Sequence, residues 1–338
     1  MIRAMAATAA LWLMLTGARG IDVPGAGAET SVVRIGIQPG MTYLALNVMN
    51  REKMLEGRAR DDGNDLQVEW IVSANGAVLN DGVLSGNVDI AGTGIPAFVT
   101  LWAKGRGTVN ARGIAAYGSL PGMLISRYPN VRSVRDFTGA DRIAVPAPKA
   151  SIQAILLEMM AEKTWGPGQH DKLDPLMVGL SHPDALIAML SGRSEINAHF
   201  TSSPYYDEEL KMPGAHVVLT KEDIFPGPLT HGMLWTTGKF HAQNPKAMRE
   251  FRAALDDAMA LIHSDPGRAA ADYLSLAREK IDVAEMTEII TRLNARFETT
   301  PRGIFAIASF MREIGMIKVA PASWRDMFFE DAWTLDGS

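Results

Sequence analysis

The sequence predicts an α/β protein of two similar lobes, each a doubly wound, mostly parallel sheet, joined by two crossings. Two observations carry this. First, a stretch returns: residues 84–94 read LSGNVDIAGTG and residues 190–200 read LSGRSEINAHF, with Leu-Ser-Gly and an acidic-Ile pair at the same offset. Arg34-Ile35-Gly36-Ile37 matches Arg142-Ile143-Ala144-Val145, and the apolar run 66–72 matches 173–178, with the steps between landmarks equal to within one residue. An offset of more than a hundred residues is too long for a solenoid repeat. Second, strand-like and helix-like stretches alternate with tight turns between them, the pattern of parallel α/β sheets.

Taken in order, residues 32–37 alternate and are β-branched, which predicts a strand ending at the turn Gln38-Pro39-Gly40. A helix over 42–55, a strand over 66–72, a helix up to Leu84 stopped by Ser85-Gly86 and a third strand over 88–91 follow. Pro96 suits the first turn of a helix. Strands over 112–117 and 123–126 flank the breaker-rich first crossing, and Ser133 to Asp136 has capping-box spacing. The second copy supplies a strand over 142–145, a helix over 152–163, a strand over 173–178, a helix capped at Ser181 and a strand over 196–200. Strands over 217–220 and 233–237 flank the second crossing, and residues 244–329 have helical period.

The chain of 338 residues has length enough for two ordinary domains, and its net charge of -5, with no basic run, leaves no footprint for nucleic acid. Residues 1–28 combine Arg3, an apolar run over 4–15 and Ala26-Gly27-Ala28, the layout of a secretory signal peptide too short to span a bilayer. The absence of cysteine excludes disulfides, a Cys nucleophile and a lipid-modified N-terminal Cys, so the expected product is a soluble periplasmic protein without a lipid anchor. The expected division is lobe 1 over 29–118, lobe 2 over 119–223, and a return with C-terminal helices packing mainly on lobe 1 over 224–338.

In open α/β sheets ligands bind beyond the carboxyl ends of the strands. Those ends are 38–40, 73–76 and 92–94 in one lobe and 146–151, 181–182 and 199–203 in the other, rich in glycine and small hydroxyls and poor in charge. Helix N-termini carry roughly half a positive charge and suit a small anion without any Lys or Arg. Thr93-Gly94 before Pro96, and Ala150-Ser151 before Ile152, are the two best places; capping alone would equally explain Thr93 and Ser151. His199 and Phe200 end a strand at the expected cleft edge, where His199 serves either a ligand or the structure. Trp235 and Tyr117 lie near the crossings, placed to close over a ligand or to pack in the core. No G-x-S-x-G elbow, P-loop or H-E-x-x-H occurs, and the seven histidines lack ligand spacing, so no catalytic residue, metal or cofactor is assigned. An enzyme acting through His199 and Asp207 is the remote alternative.

The run Asn80-Asp81-Gly82-Val83-Leu84-Ser85-Gly86-Asn87-Val88-Asp89, residues 146–153, Phe240, Asn244-Pro245 and residues 258–273 with Asp265-Pro266 resemble the solute-binding proteins of ABC importers. The nearest class is that of nitrate, sulfonate, taurine and thiamine-pyrimidine precursors. The resemblance implies a type II periplasmic binding fold that closes by hinge motion. It implies a monomer that delivers its ligand to a membrane permease and ATPase, and no catalysis. By position it places ligand loops at Gly40-Met41, Asn75-Gly76, Thr93-Gly94 and Ala150-Ser151. A small organic anion is the leading ligand and a thiamine-type pyrimidine the alternative.

Overall fold

A computed structural model describes residues 29–277 and 279–338, so the leader expected over 1–28 lies outside them. The strands are β1 (Val32–Ile37), β2 (Gln67–Val72), β3 (Ile90–Gly94), β4 (Arg112–Ala116), β5 (Gly122–Ser126), β6 (Ile143–Val145), β7 (Met177–Gly179), β8 (Ala198–Ser202), β9 (His216–Thr220) and β10 (Gly232–Thr236). Among the described residues they form two five-stranded sheets, ordered β2-β1-β3-β10-β4 and β7-β6-β8-β5-β9. In each, four strands point one way and one runs against them, β10 in the first sheet and β5 in the second. Each reversed strand is the first after a crossing, β5 after β4 of the first sheet and β10 after β9 of the second.

The lobes share one backbone frame. Arg34 N–H donates to Asp89 Oδ2 at 2.8 Å, and Arg142 N–H donates to Asn197 Oδ1 at 2.7 Å. Ile35 pairs with Ile90 as Ile143 pairs with Ala198. Asn197, not Glu195, is therefore the counterpart of Asp89. The turn after Leu-Ser-Gly is two residues longer in the second copy, so the repeat read from sequence slips by two beyond that point. The strand expected over 196–200 accordingly lies at Ala198–Ser202.

Three further expectations change. The run 173–178 is mostly a tight helical turn, His170–Leu176, and only Met177–Gly179 is strand. Pro175 has no N–H for a ladder, and the turn lets Leu173 and Leu176 bury together. The helix over 42–55 breaks at Lys53 (φ 52°), and a second helix, Met54–Asp61, buries Leu55 and Ala59. The third strand runs on through Gly92-Thr93-Gly94, which the sequence presented as a turn.

Packing follows the amphipathic pattern. Helix Pro245–Ser264 buries Met248, Phe251, Leu255, Met259 and Ile262, one stripe at three- and four-residue spacing. This stripe meets Leu44 and Val48 of helix Leu44–Glu52 and the helices Pro266–Leu276 and Val283–Leu293 in one core on lobe 1. Each fully buried side chain of this size stabilises by roughly 1.5–3 kcal/mol. A second core joins the lobes: Phe98 and Leu101 of helix Ile95–Lys104, Ile155 and Leu156 of helix Ile152–Trp165, and Ile307 and Met311 of helix Ile304–Glu313. No described helix is long and apolar enough to cross a membrane.

Candidate functional site

Strand direction brings the starts of four helices to one place between the lobes. Lobe 1 supplies Gly76 of helix Gly76–Leu84 and Gly94 before helix Ile95–Lys104; lobe 2 supplies Ser151 with Ile152, and Ser181 with His182 of helix His182–Ser191. They line a cavity of about 40 Å³. A Cβ placed on Gly94 would lie 3.7 Å from Ile152 N, so the two lobes meet here almost backbone to backbone. Asn75 accepts from Ala77 and Val78 N–H, Ser151 from Ala154 N–H and Ser181 from Asp184 N–H, while the helix at Ile95 has no side-chain cap.

Among the described residues, no Asp, Glu, Lys or Arg lines the cavity. Its polar groups are Gln38, Thr42, Tyr43, Tyr117, Ser151, Gln153, Ser181, His182 and His231. The Tyr43 hydroxyl is hydrogen-bonded to Gln38 and donates to Gly92 O at 3.3 Å. The Tyr117 hydroxyl is buried and has no partner among the described residues. It fits because residue 232 is glycine: a Cβ there would stand 1.8 Å from it. Burial, then the neighbouring His199, holds His182 well below the ordinary imidazole range. Burial first, then His182 and Lys221, does the same to His231. Both rings are neutral at pH 7. The electrostatics of the cavity therefore come from backbone, four helix N-termini aimed inward.

Behind the cavity lie two buried polar assemblies. Gln153 Nε2 is 3.2 Å from His182 Nε2, His182 Nδ1 is 2.9 Å from His199 Nε2, and His199 Nδ1 is 2.6 Å from Glu209 Oε1. At the crossings, the Lys221 ammonium donates to Ser119 O, Leu120 O and Leu229 O, tying both connections together, and burial brings it down to about 8. An outer cavity of about 430 Å³ shares Gln38, Pro39, Ala74 and Ser181 with the inner one. Beside it, helix Tyr205–Glu209 grips the C-terminal helices of lobe 1. Tyr205 and Tyr273 both donate to Glu279 Oε1, at 2.5 and 2.7 Å, and Asp207 pairs with Arg292 at 2.6 Å.

Of the residues singled out from sequence, Gly76, Gly94, Ala150 and Ser151 line the inner cavity, and Gly40 (φ 124°, a conformation favouring glycine) lines the outer one. Tyr117, read as either a lid or core, also lines the inner cavity, as does the Ser181-His182 loop, whereas Met41, Asn75, Thr93, His199, Phe200 and Trp235 reach neither cavity. Met41 points into the lobe 1 core, and Asn75 is spent on its helix cap. Thr93 is buried, its hydroxyl accepting from Trp235 Nε1 at 2.9 Å, so both are core partners. His199 and Phe200 are mid-strand and fully buried because of the two-residue slip, not at the cleft edge. Five of the six strand-end loops line the inner cavity, and only 199–203 is absent. Sequence reasoning missed Thr42, Tyr43, Gln153 and His231. His231 stands alone in the second crossing with no motif around it, whereas Gln153 follows from the helix start that was recognised, two residues past its cap.

No family model and no curated protein matches the sequence. Solved structures do. The alkanesulfonate-binding protein SsuA from Xanthomonas axonopodis pv. citri, bound to MOPS, matches at 17% identity and TM-score 0.66 over 86% of this chain and 96% of its own. The nitrate-binding protein NrtA from Synechocystis PCC 6803 matches at 15% identity and TM-score 0.68 over 90% and 88%. A Candida albicans protein described as having the generic periplasmic binding protein structural fold matches at 16% identity and TM-score 0.61 over 87% and 92%. The chain has the periplasmic binding protein fold. In that fold's terms, the cavity of four helix starts lies between the two lobes, and Lys221 ties together the segments that connect them.

Proposed function

We propose that this protein captures a small organic or inorganic anion, of the sulfonate or nitrate kind, between its lobes. We further propose that it does so in the periplasm, as a monomer with residues 1–28 removed, for delivery to an ABC-type permease and its ATPase, with no chemistry on the ligand. The observation that carries the reading is the cavity itself: four helix N-termini converge on a space with no charged side chain from the described residues. Oriented N–H groups favour negative charge there without a cationic side chain. Gln153, neutral His231 and the unpartnered Tyr117 hydroxyl add polar groups that can donate. Proteins of the same fold that bind an alkanesulfonate and nitrate support the ligand class.

Size argues against the heterocycle alternative. The inner cavity of about 40 Å³ is far smaller than the roughly 300–1,000 Å³ of pockets that enclose a whole drug-sized ligand, so a ring would have to sit in the outer cavity, away from the converging helix starts. Tyr43 and Tyr117 pack on each other, centroids 4.8 Å apart, so the faces they turn to one another are not offered to a ligand ring. An anionic head fits the inner cavity, and a tail extends into the outer one of about 430 Å³.

Thermal unfolding of residues 29–338 against nitrate, ethanesulfonate, taurine, MOPS and a thiamine-type pyrimidine tests this. A ligand at 100 times its dissociation constant adds about 2.7 kcal/mol, a shift of several degrees. Stabilisation by one of the anions supports the reading; stabilisation by the pyrimidine alone, or chemical conversion of any compound, contradicts it.

A further inference from the structure

The polar chain behind the cavity has no counterpart in lobe 1 and no part in gripping the lobes together. Gln153 is 4% exposed, His182 9%, and His199 and Glu209 0%. Glu209 Oε2 has no partner among the described residues. A carboxyl enclosed in this way exchanges protons through the two imidazoles, and His182 is the member that lines the cavity.

Counting protons gives two complete arrangements. In the first, Glu209 is ionised: His199 Nδ1–H donates to it, His182 Nδ1–H donates to His199 Nε2, and the Gln153 amide N–H donates to His182 Nε2. In the second, one proton has entered at His182 Nε2 from the cavity. The proton on His182 Nδ1 has passed to His199 Nε2, and that on His199 Nδ1 has passed to Glu209. Each hydrogen bond survives with donor and acceptor exchanged, and the Gln153 amide turns to offer its carbonyl. The distances of 3.2, 2.9 and 2.6 Å serve both arrangements. The relay then holds one more proton and no net charge.

We propose that the Gln153–His182–His199–Glu209 relay takes up one proton through the cavity for each anion bound, so that the ligand enters as an anion together with a proton. The inference rests on the anion reading of the cavity. An anion beside His182 is repelled by an ionised relay and not by the protonated one, in which the turned Gln153 amide, itself lining the cavity, has N–H groups to spare for it. Burial raises Glu209 and lowers both histidines, which keeps the imidazoles neutral in either arrangement. The titratable neighbours of His182 are His231, with Lys221 behind it, and Tyr205, whose ring stacks on it while its hydroxyl donates to Glu279. Among the described residues, no other charged group acts on His199 or Glu209.

Two readouts test it. Calorimetric titration of ethanesulfonate and nitrate from pH 5 to pH 9 should give a dissociation constant that rises tenfold per pH unit on the alkaline side, with one proton taken up per anion. Glu209→Gln, whose amide donates to His199 as a protonated carboxyl would, should bind with the low-pH affinity throughout. A flat profile in the wild type, or the same slope in the variant, overturns the proposal. The second readout needs no ligand. Nitrogen NMR of labelled histidines should show His182 and His199 changing together from Nδ1–H to Nε2–H as pH falls, and held at Nε2–H in Glu209→Gln. Fixed tautomers in the wild type overturn the relay. If neither anion binds while the tautomers still switch together, the anion reading fails, and with it the coupling, but the relay stands.

Discussion

The two lobes share a frame and differ in what their central strands carry. Ala91 of β3 and His199 of β8 occupy the same register, each opposite its parallel neighbour at Gly36 and Ala144. Across the reversed strand, Ala91 faces Trp235 and His199 faces Ile125. In lobe 1 a small residue makes room for a buried indole whose N–H is satisfied by Thr93. In lobe 2 the same position holds an imidazole that needs His182 and Glu209 to complete its hydrogen bonds. Lobe 1 thus offers the cavity backbone and tyrosine hydroxyls from a largely apolar support, while lobe 2 offers a polar side-chain network. One topology is filled with two chemistries, and the second links two imidazoles and a carboxyl in one hydrogen-bonded chain.

The severest break targets what joins the two. Lys221→Met removes three donors from buried carbonyls of both crossings, and should lower unfolding free energy by about 3 kcal/mol in urea titrations. The wild type should also gain stability from about pH 8 upward. The folded lysine releases its proton near 8, whereas the unfolded one keeps it to about 10.4, so the unfolded chain binds more protons across that window and stability rises with pH. The variant should lack that rise.

Within lobe 2, His199→Leu gives β8 an apolar centre like that of β3 but strands Glu209. A cost of about 2–3 kcal/mol is expected, largely recovered when Glu209→Leu is added, by urea unfolding of both variants. Full cost in the double variant would mean that volume and not polarity sets the difference between lobes. Within lobe 1, Thr93→Val leaves the Trp235 N–H unpaired and should cost about 1–2 kcal/mol, with a shift in tryptophan fluorescence as the second readout. The smallest effect belongs to the grip between lobes. Arg292→Ala removes a half-exposed ion pair, so stability should change by less than about 1 kcal/mol. Small-angle scattering should nonetheless show a more open ligand-free chain if this pair helps hold the lobes shut.

Much of this was legible because it depends on local chemistry. Ser151, Ser181 and Asn75 announce helix starts, Pro96 sits in a first turn, and the loops beyond the strand ends follow from parallel topology. The errors have one main source. Leu-Ser-Gly aligned the copies, but the following turn is two residues longer in lobe 2, which no residue type signals. That slip put His199 at a cleft edge when it is mid-strand. Residues from separate segments were less legible: Tyr117 reaches the cavity over Gly232, and His231 reaches it from the second crossing, both by long-range packing. Trp235 read equally well as a lid or as core, and burial decided for core.

The most direct test of the central claim separates charge from shape. Calorimetry at pH 6 would compare ethanesulfonate with ethyl methyl sulfone and nitrate with nitromethane, neutral molecules of similar outline. Converging helix N-termini predict that at least one of the anions binds with a measurable constant and that its neutral partner does not. Equal binding of an anion and its neutral partner, or no binding by either anion, would contradict it.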